Sequence, residues 1–369
     1  VLTLGLNYET SDLTMNFGGH YSRYIGDHFG NLLWAQTIGD TQPNHRFYES
    51  QGIKTEGSFF AKATQKLTSK LTGFLDLQFR GIDYNVDGTV SGPQDFSVDD
   101  QFAFFNPKAG LTFMLSQKQN LYFSYAKAQR EPNRTDYENG SPKPEKLNDF
   151  ELGWRMKKEK IQAQANLYWM EYQDQLVLTG AIDEVGAPIR QNVGKSRRVG
   201  IEIEATIQLA DQWLFKPNLA VSSNQNLDFY FKRDGILQSL GKTQLAYSPN
   251  IVGGNALVYA PSTHFQVGLL SKYVGKQYMG NINSENSSLP SYFISDINAV
   301  FSWQPKKWVK EIQWSTTINN IFNLKYLSNG YFYTYDDDWT SPGQTTTIEG
   351  AGYYPQAGLH FLSGLKLIF

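Results

Sequence analysis

The chain has 369 residues, with 33 basic against 35 acidic side chains and a net charge of −2, so no global field draws in nucleic acid or an anionic membrane. Aromatic residues reach 15% while charged ones supply only 18%, below the roughly 25% of ordinary soluble domains. Cysteine is absent, which excludes a disulfide scaffold, thiolate metal sites and cysteine nucleophiles, and the five histidines are scattered along the chain.

Taken in chain order, apolar residues recur with a period of two, the mark of a strand with one greasy and one wet face. Leu13, Met15 and Phe17 alternate with Thr14, Asn16 and Gly18; Leu71, Leu75, Leu77 and Phe79 alternate with Thr72, Asp76, Gln78 and Arg80. Phe150, Leu152 and Trp154 are set against Asp149, Glu151, Gly153 and Arg155. Ile161, Ala163, Ala165, Leu167 and Trp169 are set against Gln162, Gln164, Asn166 and Tyr168. From Val199 to Ile207 every odd position is apolar, whereas Gly200, Glu202, Glu204 and Thr206 fill the even ones. Phe293, Ile297, Ala299 and Phe301 repeat the pattern, and Leu359, Phe361, Leu365, Leu367 and Phe369 carry it to the last residue, with Ser363 the one polar member.

Counting such segments predicts about fifteen strands. Short turns are expected near 10–12, 65–70, 116–119, 158–159, 210–211, 260–263 and 304–310. Long irregular loops are expected near 25–47, 85–101, 131–146, 176–190, 232–243, 279–290 and 326–356. Short and long alternate, so the two ends of the sheet differ, as they do in an outer-membrane barrel. The longest uncharged stretch, Thr243 to Ser271, is broken by Pro249, Asn250, Asn255 and Pro261, so no spanning helix is expected. A soluble closed sheet of this many strands would enclose more space than side chains can fill. The inverse arrangement fits better: Asp76, Arg80, Glu151, Arg155, Glu202 and Glu204 face a hydrated interior, the apolar faces touch lipid, and closure satisfies the backbone. Tyr8, Tyr21, Trp154, Trp169, Tyr273, Trp303 and Trp314 would then supply interfacial girdles. The alternating apolar run that ends on Phe369 resembles the assembly signal of bacterial outer-membrane proteins, read by the barrel assembly machinery.

Several stretches resemble the barrel of TonB-dependent outer-membrane receptors, especially the smaller ones of Bacteroidetes-type bacteria. Arg130-Glu131-Pro132-Asn133-Arg134-Thr135-Asp136-Tyr137 precedes Pro144-Glu145-Lys146-Leu147-Asn148-Asp149-Phe150-Glu151-Leu152-Gly153. Asn192-Val193-Gly194-Lys195-Ser196 leads into Gly200-Ile201-Glu202. Ser248-Pro249-Asn250, Tyr273-Val274-Gly275-Lys276-Gln277-Tyr278, Asn319-Asn320-Ile321-Phe322-Asn323 and the terminal strand follow in the family's order. The resemblance implies an all-β, transmembrane antiparallel barrel of about 22 strands around an N-terminal plug. Residues 1–369 are then expected to be its C-terminal part, with the plug, the TonB box and the first strands absent from this sequence and residue 1 in roughly the eighth strand.

The function so implied is active uptake of a scarce nutrient chelate across the bacterial outer membrane. Its partners would be TonB and its inner-membrane energising complex, acting through the plug, together with outer-membrane lipids and, in some relatives, a surface lipoprotein. Neither a nucleophile–base set nor a metal-ligand spacing is found, so no enzyme activity and no resident cofactor are expected. For the ligand, Trp34, Tyr137, Tyr331, Phe332, Tyr333, Tyr335 and Trp339 are loop aromatics suited to stacking, or to packing on one another. Arg130 and Arg134 could meet an anionic ligand or pair with Glu131 and Asp136. Asp336, Asp337 and Asp338 are weak candidates for a hard cation, an acidic run being more often solvated. Haem receptors of the family carry a histidine near the loop that here reads Arg-Glu-Pro-Asn-Arg-Thr, which has none. A ferric siderophore or a cobalamin-type corrinoid remains; a passive porin or an adhesin would share the same shell.

Overall fold

The computed structural model describes the chain except residues 38, 40, 43, 92–93, 183–187 and 306–308. Its first strands are β1 (Leu2–Glu9), β2 (Leu13–Leu32), β3 (His45–Lys66), β4 (Leu71–Val90), β5 (Gln94–Ser116) and β6 (Gln119–Arg130), followed by a one-turn helix α1 (Arg134–Glu138). Next come β7 (Glu145–Lys157), β8 (Ile161–Ile182), β9 (Pro188–Ala210), β10 (Trp213–Arg233), β11 (Ile236–Gln244), β12 (Ile251–Ser262) and β13 (Phe265–Val274). The last are β14 (Gln277–Tyr278), β15 (Ser288–Leu289), β16 (Tyr292–Trp303), β17 (Glu311–Asn319), β18 (Leu327–Asp337), β19 (Thr346–Pro355) and β20 (His360–Ile368). Two compact units result. One is Val1–Phe113 with Phe123–Phe150 and Glu171–Lys195; the other is Met114–Tyr122 with Glu151–Met170 and Ser196–Phe369.

In the first unit β1 to β5 form an antiparallel meander whose register puts like beside like. Met15, Ala63, Leu75 and Ala109 make one cross-strand row; Phe17, Ala61, Leu77 and Pro107 the next; Gly19, Phe59, Phe79 and Phe105 a third. The rows between them carry Asn16, Lys62, Asp76 and Lys108, and Gly18, Phe60, Gln78 and Asn106; the row past the third carries His20, Ser58, Arg80 and Phe104. Phe59 is 73% and Phe79 51% exposed in the midst of this apolar face. Contiguous apolar rows of this extent exceed what a water-facing surface carries, so the face is built to meet something apolar.

The second unit repeats the plan over seven strands. Ile207, Phe215, Leu257, Leu269, Ile297, Ile318 and Phe361 stand side by side across β9, β10, β12, β13, β16, β17 and β20. Glu204, Asn218, Gly254 and Lys272 form a row on the opposite face. Phe361, Leu365 and Leu367 of the terminal run lie on the apolar face of β20, while Leu359 and Phe369 flank the strand. Its polar member is satisfied: Ser363 Oγ accepts from the Trp314 indole at 2.7 Å and lies 3.0 Å from Thr316 Oγ1. Short turns join the strands at one end, where Lys158 N donates to Ile161 O and Gln208 N to Lys160 O, both at 2.8 Å. Among the described residues no helix is long and apolar enough to cross a membrane.

Among the described residues there are 20 strands, against about fifteen expected; setting aside β11, β14, β15, β18 and β19, which lie in the long connections, leaves fifteen. The long connections are also less irregular than the sequence suggests. Of the described residues expected as loop within 25–47, 85–101, 176–190, 232–243 and 326–356 most are strand, because β2 to β5 and β8 to β10 run on past their apolar rows and β11, β18 and β19 form hairpins; residues 38, 40, 43, 92–93 and 183–187 of these stretches lie outside the described residues. Alternation marks only the stretch whose one face is apolar. Beyond it the backbone still pairs while apolar residues such as Val86, Phe96, Val98, Leu176 and Val177 are buried in isolated clusters, so the ladder continues after the regular alternation stops. Asp234 and Gly235, at φ 53° and 76°, supply the two-residue turn of the β10–β11 hairpin.

Candidate functional site

In the first unit the segment after β6 folds on itself. Asn133 caps α1: its Oδ1 accepts from Asp136 N at 3.1 Å while Asp136 Oδ2 accepts from Asn133 N at 2.9 Å, a reciprocal capping box. Arg190 reaches the other oxygen of the buried Asp136 at 2.9 Å. These bonds fix where the sequence-derived candidates point. Arg134 Nε donates to Glu138 Oε1 at 2.7 Å and its guanidinium lies 5.1 Å over Phe96. Tyr137 packs against the Val86, Phe96 and Val98 cluster and donates its hydroxyl to Asp100 Oδ2 at 2.6 Å. Burial, then the Asp100 carboxylate, push the Tyr137 phenol far above its ordinary range, so it stays a donor. Arg130 Nη2 pairs with Glu145 Oε2 at 2.6 Å, and Glu145 Oε1 accepts from Leu176 N at 2.7 Å. Arg134 and Tyr137 thus brace the loop from inside, Arg130 ties two strands at their ends, and Trp34 stands apart, 78% exposed.

The remaining candidates converge on the β18–β19 hairpin of the second unit. Successive side chains of a strand point to opposite faces, so Tyr331, Tyr333 and Tyr335 share one face of β18. Their rings run nearly parallel, with centroids 6.2 and 6.4 Å apart, and Trp339 extends the row from Tyr335 at 5.9 Å and 6°. Tyr354 joins at 6.0 Å from Tyr331. Opposite Tyr331 and Tyr333 on β19 stand Gly352 and Gly350. A Cβ at either would lie 2.3–2.4 Å from the facing tyrosine ring, so the rings lie across their partner strand only because no side chain is there.

The other face of the hairpin is held down. Phe332 packs on Gly280, Thr334 is buried, and Tyr247 donates its hydroxyl to Gly330 O at 3.0 Å. Glu349 accepts from Arg233 at 2.7 Å, from Asn286 Nδ2 at 3.0 Å and from Ser284 Oγ. Burial pushes the Glu349 carboxyl up, and its Ser284, Arg233 and Asn286 partners outweigh that, leaving it below the usual carboxylate range. The acidic run is engaged in the same way. Asp336 Oδ1 accepts from Thr347 Oγ1 at 2.9 Å with Lys232 3.5 Å from its other oxygen, and Asp337 accepts from Trp339 N and Thr340 N at the hairpin tip. Asp338 is exposed, and among the described residues no group of three potential ligands is placed to hold a metal ion.

Glu349, Arg233, Tyr354 and the two glycines were not among the sequence-derived candidates. Gly350-x-Gly352 has the same period of two as Tyr331-x-Tyr333-x-Tyr335, which is the signal that could have paired them. Nothing local marks Glu349, whose partner Arg233 lies 116 residues away.

Antiparallel strands with exposed apolar rows on one face and charged rows on the other define a membrane β-sheet protein that crosses with strands. The family described as TonB dependent receptor-like, beta-barrel, matches residues 1–324, and the chain belongs to that family, whose members lie in the bacterial outer membrane. The catecholate siderophore receptor Fiu of Escherichia coli strains UTI89 and K12 is 21% identical over 287 residues, 69% of this chain and 32% of the relative. Solved structures agree in fold. The closed form of Fiu from E. coli K12 superposes with a TM-score of 0.68 at 15% identity over 99% of this chain and 54% of that one. The copper transporter OprC gives 0.71 at 17% over 98% and 55%, and the siderophore receptor PiuA from Acinetobacter baumannii 0.67 at 16% over 97% and 54%. The chain therefore spans about a third of the length of the curated relatives it matches and about half of the solved ones.

Proposed function

We propose that this chain forms the C-terminal barrel wall and outer loops of a receptor that takes up a ferric siderophore actively, driven by TonB and its inner-membrane energising complex through a plug encoded in the same protein. The observation that carries the reading is the aromatic row on a hairpin anchored by its other face: Tyr331, Tyr333, Tyr335, Trp339 and Tyr354 offer flat, amphipathic surface whose position is fixed before a ligand arrives. The names of the relatives, a catecholate siderophore receptor and a ferric citrate transporter among them, support a metal chelate as cargo. On this reading Arg134 and Tyr137 keep the α1 loop ordered rather than touching the ligand, and the row supplies the contact.

The test is growth of a strain lacking the gene, complemented with the full-length gene, on a ferric catecholate as sole iron source, with and without TonB. Rescue that requires TonB is expected. Uptake that persists without TonB would mark a passive channel, and rescue by cobalamin alone would move the cargo to a corrinoid.

A further inference from the structure

We infer that Glu349 is a positioning residue: its carboxylate clasps the β18–β19 hairpin to the β10–β11 hairpin and to the segment between β13 and β16, and so sets how the tyrosine row is presented. The inference rests on the reading of that row as the ligand surface.

Glu349 stands on the inner-packed face of the hairpin, opposite the buried Thr334, and its side chain is 12% exposed. One oxygen takes the Arg233 guanidinium from the end of β10; the other takes Asn286 and Ser284 from the turn that precedes β15. Three donors from two separate segments therefore meet on one side chain. Reciprocal bonds beside it lock the register: Asp234 N donates to Thr347 Oγ1 at 2.7 Å and Thr347 N to Asp234 Oδ1 at 2.8 Å. Thr347 Oγ1 in turn donates to Asp336 Oδ1, and Tyr353 donates its hydroxyl to Asn286 O at 2.9 Å. The next residue, Gly350, faces the other way and receives the Tyr333 ring. Adjacent residues on opposite faces thus do opposite jobs, the carboxylate anchoring and the glycine giving the ring room. Losing the carboxylate leaves three donors without their shared acceptor and loosens a hairpin then held by Thr347, Tyr353 and Tyr247 alone among these bonds, so that its rings shift together.

The experiment uses the full-length receptor in intact outer membranes, with Glu349→Ala, Glu349→Gln, Arg233→Gln, the double variant Arg233→Gln/Glu349→Gln, and Tyr333→Ala. Surface-added protease reports hairpin cleavage, and uptake of an iron-loaded catecholate chelate reports half-saturation and maximal rate, both normalised to heat-modifiable receptor. Glu349→Ala and Arg233→Gln are expected to raise hairpin cleavage and the half-saturating concentration, by roughly tenfold for Glu349→Ala, at unchanged maximal rate. Glu349→Gln keeps an acceptor for Ser284 and Asn286 and falls between, and the double variant is no worse than Arg233→Gln. Unchanged cleavage in Glu349→Ala overturns the clasp. Raised cleavage with unchanged half-saturation, while Tyr333→Ala still raises it, overturns the positioning role alone. If Tyr333→Ala also leaves half-saturation unchanged, or wild type takes up no chelate, the ligand-surface reading falls and the positioning role with it.

Discussion

Ile297→Arg tests whether the apolar rows meet lipid, because its cost follows from depth. Ile297 sits between Leu269 and Ile318 in the seven-residue row of the second unit, six residues before Trp303 at the end of β16. At about 3.3 Å per residue and a tilt near 45°, that places it about 14 Å above the Trp303 level, close to the middle of an apolar band about 25 Å tall. Arginine there costs about 2–4 kcal/mol. Asn298, one residue on, faces the opposite side and donates to Thr317 Oγ1 at 3.0 Å; Asn298→Arg forfeits that bond, worth about 0.5–1.5 kcal/mol. The two variants should therefore differ by about 0.5–3.5 kcal/mol, about 2 kcal/mol at the midpoints, or roughly thirtyfold in the unfolding equilibrium. Urea unfolding of the full-length receptor in bilayers, followed by tryptophan fluorescence, measures both. Equal costs, or a larger one for Asn298→Arg, would refute the assignment of faces.

Gly352→Val drives a side chain into the Tyr331 ring and is expected to raise the half-saturating ligand concentration several-fold without lowering receptor abundance, read by uptake and immunoblot. Tyr137→Phe removes the donor to Asp100 and should cost about 1–2 kcal/mol locally, seen as faster protease cleavage within 131–144, with half-saturation unchanged because the side chain lies in the loop interior. Glu145→Ala strands the Leu176 N–H and the Arg130 guanidinium, so amide exchange at Leu176 should accelerate, whereas Glu145→Gln retains the backbone bond and most of the protection. The pH response follows from Glu349, whose carboxyl, against the upward push of burial, is held below its ordinary 4.5 by Ser284, Arg233 and Asn286; two residues along β19, Thr347 bonds Asp234 and Asp336, and Lys232 pairs with Asp336. A lowered carboxylate contributes fully above its unfolded value and is lost as pH falls through the folded one. Hairpin cleavage by an acid-tolerant protease should therefore be flat down to about pH 5 and rise below about 4.5; a rise already at neutral pH would contradict this.

How much was legible in advance can be argued from a few residues. Val199 to Ile207 announced a two-faced strand because lipid on one side and water on the other impose a period of two that any nine residues record. The same local logic placed the short turns near 10–12, 67–70, 158–160 and 211–212 and the terminal run of β20, while 260–262 is the end of β12 and 306–308 lie outside the described residues. It stopped at the edge of the apolar rows, which is why β11, β18 and β19 read as loop although Asp234-Gly235 carries a hairpin signal. Tyr331, Tyr333 and Tyr335 were legible as loop aromatics, but so was Phe332, and only the hairpin puts it on the packed face against Gly280. That Tyr137 and Arg134 turn inward was not, since both were chosen as loop polar or aromatic residues and only Asp100, Phe96 and Glu138 decide where they point.

Sequence alone thus determined the strands that carry an apolar row, their two faces and the membrane class, because burial in lipid acts on each strand independently of its neighbours. Only the tertiary structure decided which loop residues are exposed and which are anchors. Arg233 and Glu349, or Asp136 and Arg190, meet through chain reversals that neither residue encodes, and a carboxylate shared by three donors has no signature until the segments that bring them are folded.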